Sequence, residues 1–209
     1  MSGRRFHVLL GPDGAGKSTV MRRLGPLLPG WRLLSTDGPF VAPEHALIPR
    51  LRRELHERLL PGLGTAYSAD LMASLLQTAV VHLRDQLRAG DPDAPVLMDS
   101  YYYKILAKCR MADSPDRRIY SWWRSFPRPD GVVFLDVSPE AAWHRRDAGG
   151  TVNLLEHGPE AADRAGFEQY QRTLRKLMLE EVRELPVELV PEQPDPEHAT
   201  EAVRKALTR

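Results

Sequence analysis

Gly11-Pro12-Asp13-Gly14-Ala15-Gly16-Lys17-Ser18-Thr19 decides how the whole chain reads. The stretch fits the pattern G-x-x-x-x-G-K-[ST] without a misfit. Phe6-His7-Val8-Leu9-Leu10 before it reads as a short buried strand, and the run from Lys17 to about Leu28 reads as a helix. A strand–loop–helix of this kind gathers backbone N–H groups into one concavity and puts a helix's positive end at the same spot. Gly11, Asp13, Gly14, Ala15, Gly16, Lys17, Ser18 and Thr19 are therefore the candidate phosphate-binding residues. Lys17 supplies a full charge for β- and γ-phosphates, and the Ser18 hydroxyl is placed to ligate Mg²⁺.

Outward from the loop, strand-like runs alternate with helical stretches, which predicts an α/β fold with a parallel sheet covered by helices. Further strands are expected at about Trp31–Ser35, Val96–Met98 closing on Asp99, Val132–Val137 and Val187–Val190. Helices are expected at Pro43–Leu60, Ser68–Ala89, Tyr103–Met111, Ile119–Arg124, Pro139 to about Asp147, Phe167–Leu185 and Glu197–Leu207. In the second of these, Leu71, Leu75, Leu76, Ala79, Val80, Leu83 and Leu87 recur at three and four. Residues 1–209 read as a single domain without internal repeats.

Composition narrows the function classes. The 29 basic and 28 acidic residues leave a formal net charge of +1, which implies no strong pull toward nucleic acid or membrane. The single cysteine, Cys109, fits a reducing, cytoplasmic setting. No apolar run reaches a membrane-span length, and Phe6–Leu10 is too short for a signal-peptide core.

Asp99 ends an apolar strand of the kind that lies beside a phosphate-loop strand, where a carboxylate holds Mg²⁺ through water or takes an acceptor's proton. Asp136 also ends a strand, but Ser138-Pro139 makes it part of a helix-start turn and favours a structural role. Asp37 follows the second strand; in an open α/β sheet, ligands gather at strand carboxyl ends. It reads as an acceptor-facing base or hydroxyl anchor, and equally as an ordinary Asp-Gly turn. Phe40, Tyr67 and Tyr101 join it as candidate acceptor contacts. The crowd of Tyr101, Tyr102, Tyr103, Tyr120, Trp122, Trp123 and Phe126 reads either as a stacking wall or, more commonly, as core. Arg145 and Arg146 precede Gly149-Gly150, as a closing cation pair would or as a solvated helix end would. Glu54 and Arg58 read as a surface pair.

These residues resemble thymidylate kinase and its relatives among the phosphate-loop nucleoside and nucleotide kinases. The loop looks like that family's, including its internal Asp-Gly. Val96–Tyr101 is similar to its Asp-Arg-Tyr segment, Phe134–Glu140 to its fourth strand and turn, and Phe167–Tyr170 loosely to the helix after its lid. The resemblance implies a five-stranded parallel sheet of order 2-3-1-4-5, ATP with Mg²⁺, and a dimer built on the long helices. It also implies a lid near 143–160 that carries Arg145 and Arg146. Catalysis then rests on Lys17, Asp99, Arg145 and Arg146, with Ser18 and Asp99 at the metal.

Two departures fall on the acceptor side. Ser100 replaces the arginine of Asp-Arg-Tyr, and the stretch Ala69–Leu76 lacks the family's phosphate-gripping arginine. A hydroxyl acceptor without a phosphate is the expectation; Arg50, Arg52 or Arg53 reaching into the pocket would be the substitute that undoes it. The rival class is a nucleotide-dependent switch or interaction protein with slow ATP hydrolysis.

Overall fold

A computed structural model describes residues 5–112, 117–146, 155 and 163–208. Strand β1 (Phe6–Leu10) runs into the loop, and α1 (Lys17–Leu24) leaves it. β2 (Arg32–Leu34), α2 (Leu47–Glu54) and α3 (Ala69–Ala89) follow, then β3 (Val96–Asp99), α4 (Tyr103–Met111) and α5 (Arg117–Arg124). β4 (Gly131–Asp136), α6 (Pro139–Arg146), α7 (Arg164–Glu181), β5 (Val187–Pro191) and α8 (Pro196–Leu207) complete the described elements.

The strands form one sheet in the order β2-β3-β1-β4-β5, with every neighbouring pair parallel. This is the expected order. Side chains alternate across it, as strand geometry requires. Phe6, Val8, Leu10, Met98 and Phe134 face one way, toward Leu83, Leu106, Trp123 and Leu174. Leu9, Leu97, Val133 and Leu135 face the other way, toward Val20, Met21, Leu24, Ala142 and Val203. Both faces are covered, so the central strands read as unbroken apolar runs.

Two helices differ in kind from expectation, and α7 is shifted, spanning Arg164–Glu181 rather than Phe167–Leu185. α1 stops at Leu24, because Pro26 lacks the N–H that a continuing helix needs; Gly25–Leu27 tightens into a 3₁₀ turn instead. The expected helix from Pro43 to Leu60 is broken into a 3₁₀ turn at Pro43–His45, α2, a π-turn at Leu55–Leu59 and a last 3₁₀ turn at Leu60–Gly62. The π-turn carries Leu55 and His56 onto the wall of the main cavity. α3 begins where expected, with the Ser68 hydroxyl accepting from the Leu71 N–H at 3.1 Å.

The aromatic crowd is core. Tyr101, Tyr102, Tyr103, Tyr120, Trp123 and Phe126 are buried, and only Trp122 among them is substantially exposed. Asp136 serves the fold: Arg175 donates to its two oxygens at 2.6 and 2.7 Å. Glu54 and Arg58 pair at 2.9 Å on the surface.

Candidate active site

The loop between β1 and α1 is shaped by glycines. Gly14 has φ of +77°, and a Cβ there would lie 2.8 Å from the Ala142 carbonyl oxygen. Its residue type is dictated by both backbone and space. Gly16 opens α1 at φ of +89°, with open space around it, so only its backbone demands glycine. The loop and the start of α1 border a cavity of about 840 Å³.

The Lys17 ammonium donates to the carbonyls of Gly11 and Pro12, each at 3.0 Å. Burial, then the charge of Lys104, brings its pKa down to about 7, against the pull of Asp99 and Asp13. Ser18 Oγ donates to Asp37 Oδ2 at 2.5 Å, and Arg52 pairs with the other Asp37 oxygen. Burial alone would raise the Asp37 carboxyl; Arg52 and the Ser18 hydroxyl outweigh it and hold the carboxyl below its usual value.

Asp99 stands at the carboxyl end of β3, directly beside β1. Ser35 and Ser100 donate to its two oxygens at 3.1 and 2.8 Å. The chain then reverses through two left-handed residues, Ser100 at φ 58° and Tyr101 at φ 47°. Such conformations cost on the order of 1–3 kcal/mol each in non-glycine residues, and they collect at functional sites. They leave Ser100 and Asp99 on the cavity wall.

Asp13 is the surprise of the loop. Lys104 and Lys108, one turn apart on α4, reach its two oxygens at 2.8 and 2.9 Å. Its N–H donates to Gln171 Oε1 at 2.9 Å, and Gln171 Nε2 returns a bond to the carboxylate at 3.2 Å. Burial would raise this carboxyl, but the three lysines around it hold it well below the usual carboxylate range. The Asp13 side chain thus braces the loop against α4 and α7.

The cavity has two unlike halves. One is bordered by Arg145, Gln193, Pro194, Asp195 and Ala199, around the turn from β5 to α8. Arg145 Nη2 donates there to the Gln193 carbonyl at 3.4 Å. The other half is apolar, walled by Leu51, Leu55, Leu75, Leu76, Leu83 and Ile105. Arg52, Lys104 and Lys108 also border the cavity.

Of the expected site residues, the fold brings Asp13 through Thr19, Asp37, Asp99, Tyr101 and Arg145 onto this one cavity. Tyr101 contributes no stacking face: its ring is fully buried, edge-on to Phe6 at 5.9 Å. Phe40 borders a neighbouring, shallower cavity with Arg53 and Pro39. Tyr67 does not border the main cavity; it packs its ring against Gly62 in the turn before α3. The Arg146 side chain and most of the expected lid, 147–154 and 156–162, lie outside the described residues. Sequence reasoning missed Lys104, Lys108 and Gln171. The lysines had a signal, a pair spaced by four on a helix otherwise apolar on that side. Gln171 had none.

Among the described residues, no three or more His, Cys, Asp or Glu side chains are grouped to hold a metal by themselves. The donors present, the Ser18 hydroxyl and the Asp37 and Asp99 carboxylates, are hard oxygens of the sort that complete a magnesium shell supplied mainly by phosphates. They fit that ion. No described helix is long and apolar enough to cross a membrane.

Sheet order, covering helices and the loop between β1 and α1 define the phosphate-loop nucleoside and nucleotide kinase fold. Thymidylate kinase from Candida albicans superposes with a TM-score of 0.66 at 19% identity, over 100% of this chain and 93% of its own. Deoxyadenosine kinase from M. mycoides with the products dCMP and dCDP gives a TM-score of 0.66 at 17% identity, over 97% and 98%. The same enzyme with bound dATP gives 0.62 at 16%, over 98% and 100%. No family model and no curated protein matches the chain by sequence.

Proposed function

We propose that the protein is an ATP- and Mg²⁺-dependent small-molecule kinase that transfers the γ-phosphoryl group to an acceptor hydroxyl. One observation carries this reading. A phosphate loop with Lys17 folded back on its own carbonyls opens into a single cavity large enough for a donor and a small acceptor, with Asp99 on its wall. The neighbours of like fold are nucleotide and nucleoside kinases by name, which agrees with it.

The loop amides and Lys17 would hold the β- and γ-phosphates. Ser18 and Asp99 would hold the metal, with Asp37 orienting the Ser18 hydroxyl, and the ion would supply charge neutralisation between the phosphates. The acceptor oxygen forms its bond to the γ-phosphorus as the β,γ-bridging bond breaks. The electron pair leaves with ADP, and the hydroxyl proton passes to Asp99 and on to solvent. Arg145 and Arg146 would close over the transferring group from α6. The work is mostly positioning and electrostatics.

The acceptor reading follows from the walls. Ser100 stands where the resembling kinases carry an arginine, and the cavity face of α3 offers Leu75, Leu76 and Ala79 rather than a cation. Of the three foreseen substitutes, Arg50, Arg52 and Arg53, Arg52 does reach the cavity, but it is engaged with Asp37. A hydroxyl compound without a phosphate, a nucleoside or a molecule like one, suits this half best.

The test is ADP release from Mg·ATP across a panel of unphosphorylated hydroxyl compounds. Acceptor-stimulated release that disappears in Lys17→Ala supports the kinase. Release stimulated only by a protein partner would favour a nucleotide switch.

A further inference from the structure

Lys104 is almost entirely buried, 8% exposed, and it stands at the phosphate loop. Its ammonium lies 3.2 Å from the Gly11 carbonyl oxygen, the same oxygen that accepts from Lys17 at 3.0 Å. Two ammonium groups therefore converge on one loop carbonyl inside the cavity. Asp13, 2.8 Å from Lys104, is the nearest counter-charge, and Lys108 shares it. Lys17, Lys104, Lys108 and Arg52 outnumber Asp13, Asp37 and Asp99 on this wall. Buried like charges of this kind are held apart from water only at a cost, and an anion arriving between them removes it.

We propose that Lys104 is a second donor-phosphate lysine, one that contacts the γ-phosphoryl group from the α4 side, beside Lys17. Asp13 is its positioning partner. The carboxylate holds the ammonium at the rim of the nest before nucleotide arrives, and the salt bridge keeps Lys104 charged. Burial would lower the Lys104 pKa, but Asp13 first, with Lys17 and Asp99 after it, leaves it above the ordinary lysine value. The placement also explains why the loop spends its third position on a side chain that faces α4 rather than solvent. The inference rests on the kinase reading above and deepens it.

The experiment measures Kd for Mg·ADP and for a non-hydrolysable Mg·ATP analogue by calorimetry, in the parent protein, Lys104→Gln, and the double variant Asp13→Asn with Lys104→Met. The double variant removes the carboxylate together with Lys104, so the net charge beside the loop is unchanged and only Lys108 loses the Asp13 carboxylate. The parent should prefer the ATP analogue over ADP. In both variants that preference should fall about tenfold to a hundredfold, the worth of one charge-assisted hydrogen bond, with ADP affinity little changed. An undiminished preference in a folded variant overturns the inference. So does recovery of the preference in the double variant, which would make Lys104 only a neutraliser of Asp13. If the parent binds neither nucleotide, the kinase reading itself fails, a result distinct from both.

Discussion

Ser18 and Asp37 are joined by a 2.5 Å hydrogen bond that ties the first turn of α1 to the end of β2. Asp37 is held in turn by Arg52 from α2, so the hydroxyl expected at the metal is oriented by a carboxylate from another element. This kind of outer support sets how well a ligand binds. Asp37→Ala should raise the Mg²⁺ concentration needed for half-maximal turnover by about tenfold, the lower end of what such partners are worth. Metal-free ADP affinity should stay close to the parent's. A Mg²⁺ titration of ADP release decides it, and an unmoved midpoint would show that Asp37 is only a turn residue.

Binding of Mg·ATP should take up a proton in mildly alkaline solution. In the free protein, burial first and Lys104 second hold the Lys17 pKa at about 7. Phosphates restore the charged form, so the bound pKa rises. Between those two values the free protein lacks a proton that the complex holds. Uptake should approach about one proton near pH 8 and vanish below about pH 6. Calorimetry in buffers of different ionisation enthalpy measures it. Lys17→Met should abolish the uptake and cut turnover by roughly a hundredfold or more.

Asp13→Asn should destabilise the fold by about 3–5 kcal/mol at pH 7, because it strands Lys104 and Lys108 without their shared counter-charge. The pH dependence has a definite sign. The Asp13 carboxyl is depressed in the fold, so its contribution is fully present above the unfolded value of 3.8 and is lost as pH falls toward the folded value. Denaturant unfolding of parent and variant should therefore show a constant gap from pH 7 to about 5 that narrows only below about 4. A gap already closed at pH 5 would rule out this network as the source.

Gly14→Ala and Gly16→Ala should separate space from backbone. Both need a left-handed residue, at a cost of about 1–2 kcal/mol for alanine. Only at Gly14 does the new methyl group meet Ala142, in backbone and side chain, so α6 must shift. Gly14→Ala should lose about 1–3 kcal/mol more than Gly16→Ala in urea midpoints. Equal losses would mean that α6 yields freely.

Thymidylate should be a poor substrate beside thymidine and other unphosphorylated hydroxyl compounds. A dianion in a partly desolvated pocket needs bidentate cations, and the α3 wall offers leucines instead. ADP release with each compound is the measurement. A thymidylate kcat/KM at or above roughly 10⁴ M⁻¹s⁻¹ would restore the phosphorylated acceptor.

Gly11 through Thr19 carry their meaning in the sequence, because a phosphate nest is a local device: glycines at set spacing, a strand before, a helix start after. The alternation of apolar runs with helical periods was equally legible, and with it the parallel sheet, because strand and helix periods are written into neighbouring residues. Asp99 could be read as a strand-end carboxylate for the same reason. The fate of Asp13 could not. Its partners Lys104, Lys108 and Gln171 lie about a hundred residues or more away along the chain, and only the packing of α4 and α7 around the end of β1 brings them to the loop. Tyr101 looked like a ligand face because aromatic residues suit flat molecules; the sheet needed its ring more, beneath Phe6. Tyr67 and Phe40 fell outside the main cavity because turn residues are placed by the elements on either side of them. Local pattern determined the nest and the sheet. Long-range packing decided which charges surround the nest, since side chains at long separation meet only after the chain has bought their proximity with the burial of its core.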